Sequence, residues 1–174
     1  MKIVFTGSQG TGKTTLVNIL KSEYPDYKIA TNSTREMHAR GVKINQDGDA
    51  ESQRILMDWH LRNLENEDFI ADRCILDILC YTRHLAHLGK IPVEFLDEQE
   101  NTVAFDMDLY DKVFYIEPEF KVHADGIRSD DDKYQDDITE NFRHYIQWFD
   151  IPVIKLTGTV EERIEQIHRE LAKA

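Results

Sequence analysis

The chain has 174 residues, of which 41% are hydrophobic and 31% charged, with a formal net charge of −12. That length suffices for one domain with a sizeable core, and no apolar run approaches the roughly 20 residues that span a membrane. The acidic balance counts against tight nucleic-acid binding, because any basic face would have to be a local patch, while leaving room for a locally positive active site.

The chain passes from Lys2 directly into an apolar strand pattern, without the longer apolar segment of a secretory signal. Cys74 and Cys80 stand six residues apart, in neither a CxxC pair nor a metal-type cluster. Both features predict a cytosolic, reducing location.

Short β-like runs alternate with helical periods along the chain, which predicts a parallel sheet flanked by helices. "KIVFTG" reads as the first strand, followed by a helix from about Gly12 through Leu16, Ile19 and Leu20. "YKIAT" is a weak second strand, and "AESQRILMDWHLRNLENE" is a helix. "DFIADR" is a third strand that ends on a charged pair, and "CILDILCYTRHLAHLG" is a helix with Gly89 at its C-terminus. The stretch around "VEFLDEQENTVAF" has a less regular helical pattern, and "KVFYIEP" is a strong strand signal. A polar segment, "EFKVHADGIRSDDDKYQDD", leads into a helix with Ile138, Phe142, Tyr145 and Phe149 on its apolar face. "PVIKLTG" is the last strand, and the final helix carries Val160, Ile164, Ile167 and Leu171 at helical spacing. Such a doubly wound sheet binds its ligands beyond the carboxyl ends of the strands.

Gly7-Ser8-Gln9-Gly10-Thr11-Gly12-Lys13-Thr14 fits G-x-x-x-x-G-K-[ST] at every fixed position. From background frequencies a chance match in a chain this long is a roughly one-in-a-hundred event, and this match sits between a strand and a helix, as the motif requires. Its glycines let backbone N–H groups turn inward around an anion at a helix N-terminus. Lys13 would reach the β- and γ-phosphates of a nucleoside triphosphate, the Thr14 hydroxyl would ligate Mg²⁺, and Thr15 extends the loop. The expected fold is therefore α/β: a three-layer P-loop NTPase fold with a five-stranded parallel sheet and helices on both faces.

A phosphate loop serves switches, motors and kinases alike. Neither the guanine-reading N-K-x-D nor the D-x-x-G of a GTPase switch occurs here. The third strand ends in Asp72-Arg73 instead of the paired acids of a motor ATPase. An acid beside an arginine suits phosphoryl transfer to a bound acceptor: Asp72 accepts the attacking group's proton or orders the Mg²⁺ shell, and Arg73 neutralises phosphate oxygens. The competing reading is a strand-end ion pair or a helix cap.

With the phosphate loop, the "ADR" strand end and the "DG-R" segment in view, the chain resembles the small P-loop kinases. Within them it is most similar to the group of nicotinamide riboside kinase domains and phage or bacterial relatives labelled AAA-type ATPases. Phage enzymes that phosphorylate 5-hydroxymethyluracil in DNA lie near this group. The resemblance implies one kinase domain over residues 1–174, ATP and Mg²⁺ as cofactors, a third strand beside the first, and a lid near residues 117–137. Arg128 in "HADGIRSDDDKY" would close over the triphosphate and exclude water; otherwise it is a solvated arginine before a helix. Carried over in the same way, Thr157, Gly158 and Thr159 stand where adenine packs.

Three segments supply candidate acceptor contacts: Arg35 and Glu36 after the second strand, Gln53 and His60 on the following helix, and Asp77 and Tyr81 beyond Arg73. The spacing of Arg73, Asp77 and Tyr81 predicts one shared helix face. Arginines suit an acceptor that already bears phosphate, whereas Asp77 and Glu36 suit a hydroxyl; the sequence supplies both. Two functions remain open. One is a kinase for a nucleoside, a nucleotide or a hydroxymethylated base in DNA. The other is an acceptor-free regulatory or assembly ATPase.

Overall fold

A computed structural model describes residues 1–31, 33–119 and 129–173; the side chains of residues 33–35, 46 and 129–131 fall outside that description. The strands are β1 (Lys2–Thr6), β2 (Lys28–Ala30), β3 (Phe69–Asp72), β4 (Lys112–Tyr115) and β5 (Val153–Lys155). The α-helices are α1 (Lys13–Glu23), α2 (Ser33–Ala39), α3 (Ala50–Asn63), α4 (Ile75–His87), α5 (Val93–Asp106), α6 (Ser129–Trp148) and α7 (Val160–Leu171). All strand pairs are parallel, in the order β2-β3-β1-β4-β5. The five-stranded α/β architecture expected from the sequence is present, with β3 beside β1.

Alternation along the strands builds the layers, because successive side chains leave a strand on opposite faces. Ile3, Phe5, Ile70, Phe114 and Ile116 pack with Leu16, Val17 and Leu20 of α1 and Ile167 of α7. Val4, Phe69, Ala71, Val113 and Tyr115 pack on the other face with residues of α3, α4 and α6. Phe5 and Phe114 are register partners and stack with ring centroids 5.2 Å apart. Among the described residues, apolar side chains therefore cover the sheet on both faces.

Local sequence explains most helix boundaries. Asp49 caps α3 by accepting from the Ser52 N–H while Ser52 Oγ receives the Asp49 N–H. Gly89 takes a left-handed φ of 70° one residue after the α4 C-cap, as a helix stop requires. The segment read as irregular is a regular fourteen-residue helix, α5; it buries Phe95, Gln99 and Val103 along one stripe, and the many charges on its other faces obscured that period. Val160 opens α7 and is 38% exposed instead of lying on its apolar face. Among the described residues no helix is long and apolar enough to cross a membrane.

Candidate active site

The phosphate loop joins β1 to α1. Gly7 has φ 135°, and a Cβ there would stand 2.2 Å from the Ile116 carbonyl oxygen. Only a residue without a side chain lets the loop leave the sheet so close to β4. Gly10 and Gly12 take φ of 76° and 90°, the left-handed region that favours glycine. Gly12 is the N-cap of α1, no side chain among the described residues caps that helix, and its first turn holds no acid. The N-terminal amides and the positive end of the helix dipole are therefore left for an anion.

Lys13 is folded against the loop. Its ammonium donates to the carbonyls of Gly7 at 2.7 Å and Ser8 at 2.6 Å, and to Thr11 Oγ1 at 3.2 Å. Burial, with the nearby Arg73 charge, lowers its pKa to about 8, against the pull of Asp77 and Asp72.

Register places the acid. Phe5 pairs with Asp72 across β1 and β3, which sets the Asp72 carboxylate beside the start of α1. Thr14 donates its hydroxyl to Asp72 Oδ2, while Asp72 Oδ1 is buried with no hydrogen-bond partner among the described residues. A hydroxyl and a half-satisfied carboxylate together are hard oxygen donors of the kind Mg²⁺ takes. The residues present fit that ion.

Arg73 has φ 84°, unusual for a side chain this large, and its N–H donates to the Phe5 carbonyl at 2.8 Å. The turned backbone sends the guanidinium over the Tyr81 ring, 5.1 Å from its centroid. Arg73 and Tyr81 line a narrow cleft with Ile44, Asn45, Gln53, Leu56 and Ile78. Its free volume is about 10 Å³, room for one water at most.

The remaining candidates are dispersed. Arg73 precedes α4 instead of sharing its helical face; it meets Tyr81 because its backbone is left-handed. Asp77 is fully buried and lies beneath the strand ends. Its Oδ2 accepts from Thr6 Oγ1 at 2.7 Å and from the Cys74 N–H at 2.9 Å, closing the capping box of α4. Burial raises its pKa, opposed by Arg73 and Lys13. His60 is buried and held neutral, its pKa lowered to about 3 by burial and then by Arg73. Glu36 is exposed on α2 and paired with Arg40 one turn on. The Arg35 side chain and all of Arg128 lie outside the described residues.

Thr157, Gly158 and Thr159 follow β5. Thr159 caps α7 with Glu162 in a capping box, the Gly158 N–H goes to Glu119, and Thr157 exchanges hydrogen bonds with Gln166. Thr157 and Gly158 also border an open, polar hollow with Glu162, Glu165, Gln166 and Arg169.

Sequence reasoning missed the cleft residues Ile44, Asn45, Leu56 and Ile78, and the side chains that hold the phosphate loop from outside: Gln135, Thr139 and Arg163. No local pattern marks any of them, because each reaches the site by tertiary packing.

A model of the AAA domain family matches residues 2–163. The chain belongs to this family. No curated protein sequence matches it. Among solved structures, a deoxyadenosine kinase from M. mycoides with dCMP and a flexible dCDP bound superposes with a TM-score of 0.72 at 17% identity, covering 100% of both chains. NadR in complex with NAD and AMP-PNP gives a TM-score of 0.70 at 15% identity, covering 96% of this chain and 48% of NadR. Thymidylate kinase from Ehrlichia chaffeensis gives 0.62 at 14% identity, covering 100% of this chain and 98% of that one. At such identities the likeness is one of fold, and the fold of this AAA domain member is that of the P-loop kinases.

Proposed function

We propose that the protein is a Mg²⁺-ATP-dependent kinase that transfers the γ-phosphoryl group to a nucleoside-type acceptor. The observation that carries this reading is the meeting of Thr14 with Asp72, whose second oxygen is buried and unpartnered among the described residues, beside an arginine turned into a cleft. The amides of Gly10, Gly12, Lys13 and Thr14 hold phosphate oxygens, with Ser8, Gln9, Thr11 and Thr15 completing the loop. Lys13 exchanges its carbonyl partners for the β- and γ-phosphates. Thr14 and Asp72 hold Mg²⁺, which supplies charge neutralisation on the transferring group. The pairing of Asp72 with Thr14 favours this role over that of a proton acceptor. Arg73 orients the acceptor through its charge, Tyr81 supplies an aromatic wall, and Arg128 closes over the triphosphate. Arg35, Glu36, His60 and Asp77 are weaker acceptor assignments; in Asp77 and His60 burial favours a supporting role. The Thr157–Thr159 turn is assigned to the adenine.

The acceptor is assigned as a nucleoside-like molecule because this chain shares its fold with a deoxyadenosine kinase that holds dCMP and dCDP and with NadR, which holds NAD and AMP-PNP. With room for one water at most, the cleft must widen as the acceptor enters. A second reading, an acceptor-free ATPase, is favoured by the AAA domain match. Release of ADP from Mg²⁺-ATP, measured alone and with nucleosides, nucleotides and DNA carrying 5-hydroxymethylated pyrimidines, separates them. Labelled phosphate on one acceptor supports the kinase. Rapid turnover that no acceptor accelerates supports the ATPase and removes the kinase.

A further inference from the structure

The phosphate loop is gripped from both layers of the fold. From α6, Gln135 Nε2 donates to the Gln9 carbonyl at 2.6 Å, and Thr139 Oγ1 reaches Ser8 Oγ at 3.2 Å. From α7, Arg163 Nη1 donates to the Thr11 carbonyl at 2.9 Å. Helix α6 packs in the layer with Val4 and Tyr115, and α7 in the layer with Phe5 and Phe114. The two donors therefore arrive from opposite sides of the sheet and take carbonyls two residues apart.

A trans peptide is planar, and its carbonyl points opposite to the N–H that follows; no cis peptide occurs among the described residues. Fixing the Gln9 carbonyl thus fixes the Gly10 N–H, and fixing the Thr11 carbonyl fixes the Gly12 N–H. Glycine makes such an anchor necessary. At Gly10 and Gly12 the backbone has the widest choice of conformations, so an unheld loop would lose its shape between turnovers.

The Arg163 brace extends further. Its Nη2 lies 3.3 Å from Glu119 Oε1, and the Glu119 carboxylate accepts the Gly158 N–H at 2.9 and 3.0 Å. Arg163 is only 8% exposed. A buried charge bonded to a carbonyl and paired with an acid holds its place better than a solvated one. One guanidinium therefore links the phosphate loop, the segment that follows β4 and the turn before α7.

We propose that Gln135 and Arg163 are positioning residues for phosphate binding, which aim the Gly10 and Gly12 amides by holding the carbonyls that precede them. The proposal rests on the reading of the loop as a triphosphate site. It assigns each brace to its own amide, Gln135 to Gly10 and Arg163 to Gly12. Loss of the neutral Gln135 hydrogen bond corresponds to a weakening of about tenfold.

The test uses the full chain and inorganic tripolyphosphate with Mg²⁺, with affinity read by calorimetry and the two glycine amides read by NMR. Gln135→Met is expected to weaken binding about tenfold and to shrink the ligand-induced shift of the Gly10 amide while sparing that of Gly12. Arg163→Met is expected to weaken binding as well and to shrink the shift of the Gly12 amide while sparing that of Gly10, and Arg163→Lys to recover part of the affinity. Should Arg163→Met fail to fold, Gln135→Met and Arg163→Lys carry the test. Wild-type affinity with both glycine shifts intact overturns the proposal. So does an affinity loss that follows thermal stability and moves both amides equally. If the wild-type chain binds no tripolyphosphate, the triphosphate reading itself fails and this inference fails with it; bound tripolyphosphate with indifferent variants overturns the inference alone.

Discussion

Thr14 and Asp72 stand 58 residues apart in sequence, yet the threonine hydroxyl donates directly to the aspartate carboxylate at the mouth of the phosphate loop. Parallel pairing of β1 with β3 brings them together: Asp72 is the register partner of Phe5, two residues before the loop begins. The second Asp72 oxygen, buried and unpartnered among the described residues, gives the pair its proposed role in holding a cation.

Asp72→Asn keeps the shape and one oxygen but removes the charge. Phosphoryl transfer is expected to fall by about a hundredfold or more and to need more Mg²⁺, with thermal stability near wild type. Steady-state rates over a Mg²⁺ series check this. Normal transfer by the variant removes Asp72 from the mechanism.

Arg73→Gly separates a structural arginine from a functional one. The backbone φ of 84° is one that glycine adopts without strain, so the substitution relaxes the turn while losing the contact over Tyr81. Thermal stability is expected to change little and transfer to fall steeply. A variant that melts early but transfers normally identifies Arg73 as a structural pair.

The tightest constraint on the loop is Gly7. In Gly7→Ala the new methyl would meet the Ile116 carbonyl at 2.2 Å, at a φ of 135°. Overpacking and backbone strain together cost about 3 kcal/mol or more, visible as a large drop in urea midpoint. Gly10→Ala is expected to be milder, because its nearest neighbour is Gln135 Nε2 at 3.7 Å.

Lys13 has a pKa lowered to about 8 by burial first and the Arg73 charge second. Above that pH the free protein loses the cation proposed to meet the triphosphate, so affinity for a non-hydrolysable ATP analogue is expected to weaken as pH rises past about 8. The stability effect has the opposite sense. Between about 8 and the ordinary value of 10.5 the unfolded chain still holds a proton that the folded chain has released, so this group's contribution to stability grows as pH rises. Calorimetry and urea unfolding across that range check both signs, with Lys13→Met as the variant that flattens them.

His60 titrates in the acid range. Burial, and then the Arg73 charge, lowers its pKa from 6.5 to about 3. Within that window the unfolded chain is protonated and the folded one is not, so acidification draws the protein toward unfolding. The expected slope from this group is about 1.4 kcal/mol per pH unit. His60→Gln is expected to reduce that slope in urea unfolding, and an unchanged slope removes the assignment.

The sequence by itself determined the sheet and the glycine-rich loop proposed to grip phosphate. Both are local in origin: a strand alternates every second residue, a helix repeats every 3.6, and a glycine turn needs its glycines wherever it stands. The motif from Gly7 to Thr14 was therefore legible before any coordinate, as was Asp72-Arg73 as a strand-end pair. Tertiary structure decided how those parts meet. Asp77, read as open to an acceptor, lies under the strand ends because its carboxylate closes a helix cap against Thr6. Arg73 reaches Tyr81 through a left-handed backbone that no residue pattern announces. Gln135 and Arg163 hold the loop from more than a hundred residues away, because packing of α6 and α7 on opposite faces of the sheet carries them there. Contacts made by packing leave no period in the chain, so only the folded molecule displays them.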